Sequence, residues 1–536
     1  MSSPSTLQPS MAMRLHSFGL GILTLLLFVM VSNQQSFIGF DSRFVMFAQE
    51  MLRHGPSIFP TTYGEPYADY SAMSTFFIYV LSLPFGHVTS FTAWLPSSIA
   101  AAVIVTLMYR LLAPYSPRWA LVSIALMLLS VTFISEVRAV SLDLMLAAVS
   151  FAVFYLAYAA DHFNAHRRLG VLFALLVLGF AIRGPIGLIV PTGMLCSYYL
   201  FSGQYRRMLG FGVVALALLC LCIGLILWLA DISGDAAFVR DVIRMQVTGR
   251  IDGSEGSSNV LFYFTSSLGN YALAYPLALL TLVGVLVGDR NDRGPQWRLM
   301  MFCAAAGLIV LIGLSIPQAK KARYLLPMLP MAAIVAAYPF QAAGGRLFAG
   351  LRLLIQGLWL VLPGVLFGVV LVAHHRLPES LPSIGLILGL LVFLQIVALV
   401  SLFKPALRVA GLACCAVLAV WSVYILYVEP IQRGAYDTRQ FSLAVLDRVH
   451  SDSVPLVLHG LGKDAKAIKF MVNADTDVRP IFTETSEQLE AVKAPAYIVM
   501  SEASYQKLPS SQVSPLTRVL EGRFDKDDYV LLQLAP

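Results

Sequence analysis

The hydrophobic positions come in long unbroken runs, and the polar ones cluster between them. After a first run at Phe18–Ser32, apolar segments follow at 91–109, 119–135, 141–160, 169–182, 185–202, 207–230, 267–288, 299–316, 324–341, 352–373, 382–402 and 409–428. A bilayer core takes about 20 apolar residues of helix to cross, so the pattern predicts an α-helical polytopic membrane protein with about 13 transmembrane helices. One further run, Ser74–Phe85, is too short to cross and ends at Pro84-Phe85-Gly86. It suits an interfacial or re-entrant helix.

The distribution of cations decides whether that short run counts as a span. With thirteen spans, the inner loops hold Arg110 and Arg118, Arg167 and Arg168, Arg206 and Arg207, Arg290, Arg293 and Arg298, Arg346 and Arg352, and Lys404 and Arg408. Every inner loop then carries at least two positive residues, as the positive-inside rule requires. The expected topology has a cytoplasmic N-terminus and an uncleaved first helix, because no small-residue cleavage site follows it. Asn33–Ser90, Ser135–Val140, the Arg183 turn, Asp231–Ser266, Gln318–Arg323 and the C-terminal tail then lie on the outer, periplasmic side.

Two polar regions interrupt this layout. Residues 33–90 form a long first outer loop within a transmembrane domain spanning 1–428. From Glu429 charges become frequent, and short β-like runs at Val454–His459, Ala496–Met500 and Tyr529–Leu534 alternate with helical ones at Arg439–Val449 and Ser486–Val492. Residues 429–536 therefore read as a small α/β domain of ordinary size. It carries no phosphate loop, which suits a structural or acceptor-docking role.

Composition narrows the function. The 536 residues are 58% apolar and 12% charged, against about 25% charged in soluble proteins. The net charge of +7 sits in short loops as a topology signal, so no nucleic-acid partner is expected. All six cysteines lie inside apolar segments without histidine at ligand spacing, which argues against structural disulfides and a Cys/His zinc site. His374-His375, in a loop, and His459 read as solvated residues, so no metal or other cofactor is indicated. Asp231–Gly256, with Arg240, Arg244 and Arg250 at near-helical spacing, reads as an amphipathic outer helix, either at a donor entry or simply interfacial.

Three outer loops hold cations against the topological trend: Arg43 with Arg53, Arg183, and Lys320, Lys321 and Arg323. Together they would form a basic cradle for a phosphate or diphosphate at headgroup depth; separately they would be headgroup contacts or salt-bridge partners. Acids at the same level are Asp41, Glu65, Asp69, Glu136 and Asp143, the last with Arg138 nearby in sequence as a partner. A carboxylate can take a proton from an acceptor hydroxyl while cations stabilise a departing phosphate. The combination points to group transfer from a phosphorylated carrier.

These residues carry a resemblance. Asp41-Ser42-Arg43-Phe44, Ala48-Gln49-Glu50-Met51-Leu52, Pro60 and Gly64-Glu65-Pro66-Tyr67-Ala68-Asp69 resemble the first outer loop of the polyprenyl-phosphate-sugar-dependent glycosyltransferases, the protein mannosyltransferase and lipid A aminoarabinose transferase (ArnT-like) superfamily with the GT-C fold. Arg138 through Asp143, Ile182-Arg183-Gly184-Pro185 and Arg323-Tyr324-Leu325-Leu326-Pro327 continue the likeness, in order, to about residue 340.

The resemblance implies a bacterial inner-membrane enzyme that transfers one sugar from an undecaprenyl (polyprenyl) phosphate donor to a lipid A, other glycan or protein acceptor. It makes Asp41 and Asp143 the catalytic carboxylates. Arg43, Arg183, Lys320, Lys321, Arg323 and Tyr324 become contacts to the donor phosphate, and Glu65, Tyr67, Asp69 and Tyr70 the substrate loop. Two positions depart from the family pattern. Phe40 stands where the family has the first acid of a pair, so Asp41 is either a shifted catalytic acid or the second of the two. Asp69-Tyr70-Ser71-Ala72 lacks the family's lysine. The alternatives are a ligase or polymerase using a diphosphate-linked oligosaccharide, and a flippase or transporter, although no internal repeat or paired midplane charge supports the latter.

Overall fold

The computed structural model describes residues 10–32, 36–39, 41–68, 73–245, 259–287, 294–342, 345–376, 384–452, 454–473 and 478–535. They form two compact units, one made of Met1–Met30, Ala68–Met73 and Pro96–Tyr427, the other of Val31–Tyr67, Ser74–Leu95 and Val428–Pro536.

The chain is a multi-pass membrane protein. Among the described residues nine helices are long and apolar enough to cross a bilayer, and eleven spans result if each of two bent pairs counts once. The segments expected at 169–182 and 185–202 are the helices Leu169–Arg183 and Pro185–Phe201, of 15 and 17 residues. Ser74–Phe85 is a short helix, Met73–Ser82, closed by a 3₁₀ turn at Leu83–Phe85. His374 and His375 lie in the last turn of the 31-residue helix Arg346–Arg376 rather than in a loop. Past Asp231, the helix Tyr205–Ser233 gives way to a short helix Ala236–Ile243, whose start is capped by Asp235 accepting from the Ala237 and Phe238 amides. Arg250 lies outside the described residues.

Each bend in the first unit is tied by a side-chain hydrogen bond to another segment of it. Pro117–Leu128 and Val131–Val137 meet at 75°, which leaves a carbonyl near the break without its helical partner. The indole of Trp421 donates to that Leu128 carbonyl at 3.0 Å, as an apolar setting demands. Phe262–Asn270 and Ala274–Val287 meet at 111°. Tyr271, fully buried in that break, donates to the carbonyl of Ala322 at 2.7 Å and so pins the start of the 3₁₀ segment Ala322–Met328. Pro327 has no amide to complete an α-helical ladder there.

A tight turn joins Leu169–Arg183 to Pro185–Phe201. Gly184 adopts φ 64° and ψ −149°, a region essentially open only to glycine, and Pro185 starts the next helix with its φ already set. The two helices touch backbone to backbone: a Cβ on Gly187 would sit 1.8 Å from the carbonyl oxygen of Gly179. Gly187→Ala therefore forces the pair apart and is expected to destabilise the protein by about 1–3 kcal/mol. The check is thermal unfolding in detergent, where an unchanged Tm would contradict the close approach.

In the second unit a hairpin of β1 (Thr61–Thr62) and β2 (Glu65–Pro66) precedes a five-stranded sheet of β3 (Leu456–His459), β4 (Ile481–Thr483), β5 (Ala496–Ser501), β6 (Leu516–Phe524) and β7 (Asp527–Leu534), in the order β4-β3-β5-β7-β6. β3 runs parallel to both β4 and β5, and all four of its residues are buried. That is why it reads as a continuous apolar run, as covered parallel strands do. β5, β7 and β6 are antiparallel, with Met500 opposite Val530 and Leu516 opposite Leu534. His459 is buried, its Nδ1 3.0 Å from Thr483 Oγ1, and burial holds its imidazole below the ordinary value. It ties β3 to β4 rather than facing solvent.

Candidate functional site

The candidate residues fall into two sets, one in each unit. In the first unit the helix Leu142–His162 packs against Leu169–Arg183 and against the 3₁₀ segment Ala322–Met328. Asp143 stands in its first turn, after Ser141, whose hydroxyl caps the Leu144 amide. Asp143 Oδ1 lies 3.0 Å from Arg183 Nε, and its Oδ2 lies 3.4 Å from Arg183 Nη2 and 3.3 Å from Arg323 Nε. The Arg183 guanidinium sits over the Tyr324 ring, 5.0 Å from its centroid. Asp143 and Arg183 are only 4% and 2% exposed, and Lys320, just upstream of Arg323, is 3% exposed; Lys321 is half-buried.

Two arginines thus share one buried carboxylate. A charge out of water needs pairing, and here the Asp143 carboxylate holds two guanidinium groups side by side. The arrangement is built to receive an anion, and Arg presents the fork that suits phosphate. Arg138, which the sequence offers as a partner for Asp143, is buried and reaches the first helix. Its Nη1 donates at 2.7 Å to the carbonyls of Phe28 and Met30, closing the C-terminal end of the helix Met11–Val29.

In the second unit Asp41 opens the helix Asp41–His54 and is 6% exposed. Its Oδ2 accepts from the indole Nε1 of Trp94 at 3.0 Å. The other face of the story is Arg433, whose guanidinium lies 4.3 Å from the Trp94 ring centroid, pairs with the buried Glu429 at 3.1 Å and donates to the carbonyl of Ser36. Trp94, Glu429 and Arg433 were not candidates from sequence. Glu429 and Arg433 do stand four apart at the end of the last apolar run, a spacing that pairs charges on a helix; nothing marked Trp94.

Arg43 turns away from Asp41. Two residues along a helix is about 200° of rotation, and Arg43 meets Asp464, 3.2 Å to Oδ1, with its guanidinium 5.4 Å from the Tyr67 ring centroid. The Tyr67 hydroxyl donates to the same carboxylate at 3.1 Å. Glu65 is exposed and 3.7 Å from Lys463. Gln49 donates to the Val472 carbonyl at 3.0 Å, and Arg53 lies 3.6 Å from the buried Glu50. Tyr63 packs edge-on against Phe482 at 5.1 Å, and burial, helped by the Asp464 and Glu50 carboxylates, pushes its phenol well above the ordinary value. Arg43, Glu65 and Tyr67 therefore hold the loop to the C-terminal domain. Asp69 and Tyr70 lie outside the described residues. Among those residues no three His, Cys, Asp or Glu side chains gather as a metal site.

Residues 69–229 match the family described as dolichyl-phosphate-mannose-protein mannosyltransferase. By sequence no curated protein matches the chain. The fold is similar to that of ArnT from Cupriavidus metallidurans in the apo state, with TM-score 0.70 at 15% identity over 98% of this chain and 99% of that one. It is likewise similar to the same protein bound to undecaprenyl phosphate, with TM-score 0.68 at 15% identity over 98% of both chains.

Proposed function

We propose that this chain, which has the GT-C fold of the ArnT and protein mannosyltransferase superfamily of glycosyltransferases, transfers a single sugar from a polyprenyl-phosphate carrier to a lipid A, glycan or protein acceptor. The observation that carries this reading is the gathering of Arg183 and Arg323 on the buried Asp143, with Tyr324 against Arg183. That the similar ArnT structure holds undecaprenyl phosphate supports a lipid phosphate as the anion.

The chemistry assigned to the residues is a displacement at the sugar's anomeric carbon. Asp41 accepts the proton of the acceptor hydroxyl, the new bond forms from that oxygen, and the bond from the anomeric carbon to the phosphate oxygen breaks. The electron pair stays on the departing polyprenyl phosphate, whose charge is met by Arg183 and Arg323. Asp143 orients the two arginines; a carboxylate already engaged by both is a poor base. In this proposal the membrane is a bacterial inner membrane, and the inner-loop arginines support a cytoplasmic N-terminus with residues 429–536 outside.

The test uses the purified protein in proteoliposomes with radiolabelled sugar donors. Release of polyprenyl phosphate from a monophosphate-linked sugar, and none from a diphosphate-linked oligosaccharide, is the expected result. Turnover of the diphosphate donor alone would make the chain a ligase or polymerase, and flux of intact donor without transfer would make it a flippase.

A further inference from the structure

The helix that carries Asp143 in its first turn carries a second carboxylate, Asp161, next to its last residue. Eighteen residues at 1.5 Å each put the two about 27 Å apart, at opposite ends of the first unit's bundle. Beside Asp161 lies a cavity of about 590 Å³, bordered among others by His162, Gln204, Trp297, Arg298 and Phe302. That is within the ~300–1,000 Å³ of small-ligand pockets. None of these residues belongs to the cluster at the other end.

The polar groups around the cavity select the charge of an occupant. Asp161 Oδ1 receives Arg167 Nη2 at 2.9 Å and Arg207 Nη1 at 3.3 Å, and its Oδ2 receives the Tyr198 hydroxyl at 3.0 Å and Gln204 Nε2 at 2.9 Å. A carboxylate offers about four lone-pair sites, so this one has no capacity left for a cation. Among the described residues, Arg167, Arg207 and Arg298 stand against the one carboxylate of Asp161, a surplus of two positive charges. Apolar side chains border the same cavity: Trp297 and Phe302 line it beside Arg298 on the helix Pro295–Ser315, and the His162 ring is stacked on Tyr158 at 4.3 Å between centroids. An occupant must join an anionic head to a hydrocarbon body. Basic pockets between membrane helices hold phosphate headgroups of lipids in this way.

We propose that this cavity binds the headgroup of an anionic phospholipid drawn from the adjacent leaflet, with the phosphate toward Arg298 and the first carbons of the lipid along Trp297 and Phe302. The site is separate from sugar transfer and does not depend on it.

The experiment measures lipid retention by native mass spectrometry and Tm for the full chain in phosphatidylcholine nanodiscs, with and without phosphatidylglycerol. Wild type is expected to retain phosphatidylglycerol and to gain thermal stability from it, while millimolar inorganic phosphate in plain phosphatidylcholine gives no gain. Arg298→Glu should weaken retention tenfold or more, Trp297→Ala should weaken it too, and Arg346→Glu, a charge reversal away from the cavity, should leave it unchanged. Arg298 is exposed, and Arg298→Gln provides a milder substitution whose retention should fall between wild type and Arg298→Glu. Equal retention by wild type and Arg298→Glu, equal stabilisation by phosphatidylcholine alone, or an equal gain from inorganic phosphate would each overturn the proposal.

Discussion

Asp41→Asn is expected to lower the rate of sugar transfer by about 10²–10⁴-fold, the usual contribution of a positioned general base, while the protein reaches the membrane at wild-type levels. Asparagine keeps the shape of the side chain and an oxygen that can accept from the Trp94 indole, so the helix start it occupies persists. Trp94→Phe separates the carboxylate from its support. It removes a hydrogen bond to a charged group, about 1.5–3 kcal/mol, and should slow transfer by roughly ten- to a hundredfold with Asp41 still in place. Initial rates at saturating donor would measure both. A wild-type rate in Asp41→Asn would remove Asp41 from the reaction and leave the second-acid reading of that position.

Arg183→Met should damage both binding and folding. It removes a two-point partner of Asp143, and breaking a buried pair by deleting one member costs about 3–5 kcal/mol. The Tm in detergent should therefore fall, and affinity for polyprenyl phosphate should weaken by about ten- to a hundredfold, the worth of a charge-assisted hydrogen bond. Arg183→Lys should restore stability in part and phosphate affinity hardly at all, because a point charge cannot reproduce the fork that meets Asp143 through Nε and Nη2. Asp143→Asn separates the roles further. It leaves both arginines for the phosphate, so donor binding should persist or tighten while stability drops. Loss of donor binding in Asp143→Asn with stability intact would instead give Asp143 a direct part in the chemistry.

Much of the architecture was legible before any tertiary information. Among the described residues each of the thirteen apolar segments falls on helix, nine to eleven of them long and apolar enough to cross, because hydropathy summed over a bilayer's thickness is a local property of the chain. The short run Ser74–Phe85 stayed short for the same reason. Strands β3, β5 and β7 were visible as β-branched and aromatic runs, whereas β4 and β6, with exposed residues and mixed polarity, offered no comparable pattern. The bends at Ser130 and Tyr271 were invisible, since each is held by a partner far along the chain: Trp421 for one and Ala322 for the other.

The candidate site divides along the same line. Chemistry-bearing residues such as Asp41, Asp143, Arg183 and Arg323 stood out in sequence because charges at the ends of apolar runs are costly and therefore conspicuous. Which of them meet was a matter of packing. Asp143 lies 40 residues from Arg183 and 180 from Arg323, and their pairing depends on how three segments cross. Arg43 and Asp41 are two residues apart, yet helical rotation sends one to Asp464 and the other to Trp94. Membrane layout and residue chemistry follow from local composition, which adds along the chain. The partner of each buried charge follows from long-range packing, because the cost of leaving it unpaired is settled only when distant segments come together.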